Sequence, residues 1–355
     1  MYLTMTGTVL LTGANGSLAI PAVEYLLSTY PSFTLVLTVR DDSEQDRNTT
    51  ALRQTVAKHS NASVSIRKLD LGSLKEAQSF CEVLHAEIKD GKLPRLAAIV
   101  CNAMIWKLSG GPAYSDDGFE STLAINHLAH FTIALRLLGA MDAQHGRIVF
   151  LGSQGHWPDK AGLSKGFPTR LPEDLEVLVH PPPDPKGEEM GRGFQRYGLS
   201  KLASLMVAYE LNQRLKKVCC KPNSSFSYRG VLTTVQNKDT QSIRAVTIDP
   251  GDLLNSKTFF RAHVPMSVQI MIFIGSWLLP LLRLLQPRLS SVEQAAKPVI
   301  DIAVADEFAG QEGYFEGREK ATSSPDSLDE DMQRKLWEKS VAWCGLKPED
   351  TVIDL

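Results

Sequence analysis

The chain has 355 residues, 43% of them hydrophobic and 22% charged, with a formal net charge of −2. That is the balance of an ordinary globular protein long enough to bury a large core, and it excludes the broad basic footprint of a nucleic-acid binder. Five cysteines (Cys219 and Cys220 adjacent, Cys81, Cys101 and Cys344 scattered) form no CxxC pair and no Cys/His metal spacing, so free thiols, a reducing cytoplasmic setting and no metal are expected.

From the N-terminus, "MYLTMTGTVLLTGANG" runs straight into an apolar stretch without a basic run or cleavage site, so no signal peptide is expected. Apolar runs predict strands at 7–12, 34–39, 63–68, 96–101, 147–152 and 243–248. Helix-period stretches between them predict helices at 17–29, 43–58, 73–88, 118–142 and 197–217. Ser73 with Glu76, and Ser327 with Glu330, each read as a capping box. Such alternation predicts an α/β, Rossmann-type doubly wound parallel sheet, with the ligand crevice at the carboxyl ends of the strands.

Three stretches stand outside the alternation. Residues 157–195 include "HPPPDPKGEEMGRG" and read as an inserted surface loop, partly mobile. Residues 219–242 read as a second insertion. Within 252–290, the run "VQIMIFIGSWLLPLLRLL" (268–285) is nearly all apolar, interrupted by Pro280 and Arg283. Two readings stay open for it: a buried or lid helix lining a greasy pocket, or a monotopic anchor lying in a membrane surface through 264–285. Beyond residue 286 come a helix over 291–305, the strand-like "EGYFEG" and an amphipathic helix near 327–343. One domain over 1–355, with insertions and a C-terminal helical extension, accounts for the whole pattern.

Directly after the first strand stands "TGANGSLA", residues 12–19. Gly13 and Gly16 permit a tight strand-to-helix turn whose backbone N–H groups approach a pyrophosphate, aided by the helix N-terminus. The second strand ends in "VLTVRDD". Arg40 offers a guanidinium to a ribose 2′-phosphate and so favours NADP(H), although Asp41 or Asp42 could instead reach a ribose hydroxyl. Asp70 and Leu71 end the third strand, where the adenine lies in such folds. "CNAM", 101–104, ends the fourth, bordering the ribose and nicotinamide.

Further along come "INHLAHF" with Asn126, "RIVFLGSQGH" with Ser153, and "YGLSK" with Tyr197 and Lys201 four apart on one helix face. With the glycine turn and "CNAM", this ordered set resembles the short-chain dehydrogenase/reductase family over about residues 5 to 255. The resemblance implies Tyr197 as general acid/base and Lys201 as the residue that holds the nicotinamide ribose and depresses the tyrosine pKa. It implies Ser153 as the hydrogen-bond donor to the substrate oxygen and Asn126 as support for a proton relay. It implies Gly13, Asn15, Gly16, Ser17 and Leu18 around the pyrophosphate, and Asn102, Ala103, Pro250 and Gly251 beside the nicotinamide half. Departures are visible: Ser17 and Ala19 stand where two glycines are usual, Met104 replaces a glycine, and the threonine usual after Pro-Gly is missing, with Asn255 or Ser256 as substitutes. His156 and His127 read as structural more than catalytic.

The chemistry stands without the family. Carbonyl reduction needs a hydride at carbon and a proton at oxygen; a phenol supplies the proton, a nearby ammonium favours its phenolate, and a hydroxyl supports charge on oxygen. "DPGDLLNS" and the tail "SSPDSLDEDMQRKLWEKS" look like fungal members of the family active in secondary metabolism, similar to retinol- and steroid-type reductases. A small apolar carbonyl or alcohol substrate follows. A cofactor-binding regulatory protein and a non-redox cyclase or isomerase are the rival readings. The resemblance further implies a homodimer or homotetramer through the 118–142 and 197–217 helices.

Overall fold

The apolar runs assemble into one eight-stranded sheet in a computed structural model that describes residues 6–160, 164, 166–219, 226–228, 231–233, 243–253, 256, 264, 266–278 and 288–355. Strands β1 (Gly7–Leu11), β2 (Phe33–Val39), β3 (Val64–Lys68), β4 (Leu96–Cys101) and β5 (Arg147–Leu151) come first. A hairpin of β6 (Phe226–Tyr228) and β7 (Val231–Thr233) stands apart within the second insertion, whose residues 220–225, 229–230 and 234–242 lie outside the described residues. β8 (Arg244–Asp249), the short pair β9 (Asp252–Leu253) and β10 (Leu289–Ser290), β11 (Gly313–Glu316) and β12 (Glu319–Lys320) follow.

The order is β3-β2-β1-β4-β5-β8-β11-β12, parallel throughout except for the antiparallel edge strand β12. The order reverses between β1 and β4, so a crevice opens there at the carboxyl ends. β1 shows why both faces need cover. Val9 and Leu11 join the cluster on one face, Leu10 that on the other, as a side-chain period of two requires.

Helices α1 (Ala19–Thr29), α2 (Arg47–Ala57) and α9 (Val292–Val304) supply or flank the first cluster. On the other face lie α3 (Leu74–Lys89), the short α4 (Ser121–Leu123), α5 (Ala129–Leu137), α6 (Glu176–Val179), the 31-residue α7 (Glu189–Cys219) and α10 (Glu330–Trp343). α8 (Met266–Trp277) sits outside both. Between α4 and α5 the chain widens into a π-turn, Ala124–Leu128.

Several sequence expectations need correction. The capping box at Ser73 is half made: Ser73 Oγ accepts the Glu76 N–H at 3.3 Å, but the Glu76 carboxylate takes the N–H of Asp70. At the C-terminal helix the cap is Asp329, which accepts from Met332; Ser327 donates instead to the Ser324 carbonyl. The 157–195 stretch is no plain surface loop. It contains α6, its last seven residues belong to α7, and Thr169, Leu175, Leu178 and Val179 are buried. Asp184 forms a two-pronged ion pair with the buried Arg196, at 2.6 and 2.8 Å. Finally, α10 packs over α5 and α7: Trp337 meets Phe131 edge-on, and Ser340 bonds His127. Every residue of α5 but Arg136 is buried, so α5 has no exposed side for the four-helix interface expected from the resemblance.

Candidate functional site

The turn after β1 is pinned from behind. Thr12 Oγ1 accepts the N–H groups of Asn102 and Ala103 at 3.0 and 3.1 Å and bonds the buried His130 at 2.9 Å. Asn102 donates back to the carbonyls of Thr12 and Gly13. Gly13 has φ +62°, and a Cβ there would stand 2.8 Å from that of Ala103, so only glycine lets β1 and β4 close up at this point. Asn15 reaches sideways to Asp46 and Thr49. No side chain caps α1 at Leu18, and its first turn carries no acid. The Ile20 N–H is taken by the Gly16 carbonyl and Pro21 has none, but Gly16, Ser17 and Leu18 line the crevice, so the positive end of the helix dipole lies at its edge.

Across the crevice, Ser153 follows β5 in extended backbone and its hydroxyl accepts the Gly155 N–H at 3.1 Å. Tyr197 and Lys201 lie on α7, both buried. The Lys201 ammonium donates to the Leu151 carbonyl at 2.7 Å, at the end of the same strand. It stands 5.7 Å from the centre of the Tyr197 ring. Asn126 sits in the π-turn. Its carboxamide accepts the Ile105 N–H at 2.8 Å, donates to the Ile105 carbonyl at 2.9 Å and donates to Ser200 Oγ at 2.9 Å. The extra residue of a π-turn re-aims one side chain out of the α-helical ladder, and here that side chain clamps the irregular chain after β4 at Ile105.

One cleft of about 400 Å³ gathers these parts. Gly13, Asn15, Gly16, Ser17, Leu18, Arg40, Asp70, Leu71, Asn102, Ala103, Ser153, Tyr197, Lys201, Pro250 and Gly251 all line it. Asn126 alone among the expected residues stands behind the wall. Ser256 and Met104 line the cleft too, while Asn255 lies outside the described residues. His156 points away from it: Nδ1 meets the Ser153 carbonyl at 2.7 Å and Nε2 accepts the Ser324 N–H at 3.1 Å. That pair of partners fixes the neutral tautomer with the proton on Nδ1.

Burial dominates the electrostatics. It pushes the Tyr197 phenol up to about 12, with the Ser153 hydroxyl pulling the other way. Burial also brings the Lys201 ammonium down to about 8, against the opposing pull of Asp249. Asp249 ends β8 buried, its carboxylate taking the Gly251 N–H, the Arg288 guanidinium and the Tyr314 hydroxyl.

Sequence reading missed three wall residues. Trp106 and Phe194 pack against Tyr197 at ring-centre distances of 5.4 and 5.5 Å. Phe194 lies one turn before Tyr197 on the same helix, and that spacing was the available signal. Asp249 directly precedes Pro250. Trp106 lies in irregular chain, where no periodicity marks it. Val268 and Ile272, one turn apart on α8, join this aromatic cluster together with Val264. The inner side of α8 thus fits the lid-helix reading; residues 279–287 lie outside the described residues.

The AcuH dehydrogenase domain family matches residues 257–353. The short-chain dehydrogenase iccH of Talaromyces variabilis is 27% identical, over 98% of both chains. Retinol dehydrogenase 14 of Homo sapiens is 25% identical, over 96% of this chain and 86% of its own. Among solved structures, an uncharacterised protein from Mycobacterium paratuberculosis superposes with a TM-score of 0.61 at 21% identity, over 98% of this chain and 95% of that one. The NADPH-bound carbonyl reductase from chicken fatty liver gives 0.57 at 13% identity, over 90% and 99%.

Proposed function

We propose that this chain, which belongs to the short-chain dehydrogenase/reductase family and is an oxidoreductase, uses NADPH to reduce a ketone or aldehyde of a bulky apolar metabolite, or oxidises the matching alcohol. One observation carries the reading: the Tyr197 phenol, the Lys201 ammonium and the Ser153 hydroxyl line the same cleft as the glycine turn. A structural tyrosine and a solvated lysine have no reason to share a cleft with an uncapped helix N-terminus.

Gly13, Asn15, Gly16, Ser17 and Leu18 would hold the pyrophosphate, and the Arg40 guanidinium the 2′-phosphate. Asp70 and Leu71 would border the adenine, and Asn102, Ala103, Pro250 and Gly251 the nicotinamide half. When bound, NADPH supplies the hydride. Tyr197 supplies the proton to the carbonyl oxygen. Its phenol, held up at about 12, stays protonated throughout neutral pH, the form a reductase needs. Ser153 donates a hydrogen bond to the same oxygen as charge develops there. Lys201, anchored on Leu151, holds a positive charge beneath the phenol. Asn126 rigidifies the chain at Ile105 and bonds the residue preceding Lys201, the place from which a proton relay would run. The wall of Trp106, Phe194 and Met104, backed by Val268 and Ile272 of α8, favours a bulky apolar substrate.

Tyr197→Phe tests the assignment. It should lower NADPH consumption with a panel of apolar ketones by about 10²–10⁴-fold while NADPH binding is retained. A wild-type protein that binds NADPH yet never oxidises it with any of them would overturn the reading in favour of a regulatory or non-redox role.

A further inference from the structure

Of the eleven large hydrophobic side chains exposed among the described residues, seven lie between Met266 and Leu278. α8 reads MSVQIMIFIGSW, with no charged residue. Its inner row, Val268 and Ile272, packs on the aromatic wall of the cleft. The opposite side presents Ile270, Phe273, Ile274 and, at 76% exposure, Trp277. A helix apolar all round belongs in a core or in lipid, and here only one side is in a core. We propose that the outer side of α8 seats in the surface of a lipid bilayer, with the helix lying in the membrane plane between the bilayer and the cleft.

Geometry selects this occupant. Twelve residues make a helix of about 18 Å, well short of the roughly 30 Å hydrocarbon core, so α8 lies on the membrane instead of crossing it. One described helix, Ser121–Ala140, is long and apolar enough to span, and it is mostly buried in the core. One side of an 18 Å helix also falls well below the roughly 800 Å² per partner of a stable protein pair. Interfacial insertion has no such minimum; it grows with the apolar area buried. Phe273 and Trp277 pack edge-on at the end of that side, and tryptophan is the side chain most at home at headgroup level. With no charge on α8, binding should not depend on anionic lipid.

Flotation of the purified full-length protein with pure phosphatidylcholine vesicles tests this, and reads no turnover. The wild type should rise with the vesicles. The triple variant Ile270→Gln, Ile274→Gln, Trp277→Gln should lose at least tenfold in partitioning with an unchanged melting temperature. Brominated phosphatidylcholine should quench part of the tryptophan emission, and Trp277→Phe should remove that part, a readout that stands even if the triple variant misfolds. Wild-type protein that stays at the bottom of the gradient with unquenched emission overturns the proposal. So does a wild-type dimer, by light scattering, that the triple variant turns into a monomer without any flotation.

Discussion

Lys201 is a buried cation whose ammonium rests on a backbone carbonyl, the Leu151 oxygen. Burial lowers its pKa to about 8, so the positive charge is present below that pH and lost above it. If that charge supports the Tyr197 phenol, kcat/KM for carbonyl reduction should be level up to about pH 8 and fall about tenfold per unit beyond, since this ratio reports ionisations of the free enzyme. A profile measured from pH 6 to 10 checks it; no change across pH 8 would remove Lys201 from the chemistry. At this scale the sequence was informative where chemistry sets a spacing. Tyr197 and Lys201 four apart must share a helix face, and Gly13 after a strand must turn. It was silent on Trp106 and Asp249, whose place at the cleft comes from β4 and β8 ending at the same rim.

The middle of "YGLSK" shows how an element sets a site. Glycine inside a helix ordinarily costs about 1 kcal/mol against alanine, so Gly198→Ala on an isolated helix would stabilise. In α7 the sign reverses. A Cβ on Gly198 would stand 2.4 Å from the Gly155 carbonyl oxygen and 2.4 Å from Thr169 Oγ1. The helix lies directly on the turn that presents Ser153, and the methyl would lever Tyr197 away from that hydroxyl. Gly198→Ala should therefore cost about 1–3 kcal/mol of stability by overpacking. It should lower kcat about 10²-fold, as a shift near 1 Å does, with the KM for NADPH little changed. Thermal melts and steady-state kinetics separate the two effects. The start of α7 was illegible for a related reason: Gly191 and Gly193 argue for a loop, yet the segment is helical where it packs against Lys107 and Leu108. The π-turn at Asn126 was equally hidden, because it interrupts a helix whose apolar pattern runs on unbroken.

Across the whole molecule, the C-terminal extension is part of the core. Trp337 is fully buried, edge-on to Phe131 and beneath the Arg214 guanidinium, on the helix that carries Tyr197 and Lys201. The Ser323–Ser327 stretch bonds Tyr209 on that helix and His156 behind Ser153. Trp337→Ala should lower global stability by about 3–5 kcal/mol, the range for a large buried aromatic, measurable as a fall in denaturant midpoint. If the midpoint were unchanged, the extension would be a peripheral addition instead.

What the sequence determined by itself was the alternation of strand and helix, and with it the parallel sheet and the crevice at its carboxyl rim. It also determined the short-range chemistry: a glycine turn after β1 and a phenol and amine one helical turn apart. These depend on periods of two and 3.6 residues and on backbone sterics, which act over a few neighbours. The tertiary structure decided whatever depends on distant segments meeting. α10 covers α5 where a second copy was expected; α8 shows one apolar side to Tyr197 and the other to solvent; and burial, through desolvation, holds the phenol protonated and the ammonium close to losing its proton.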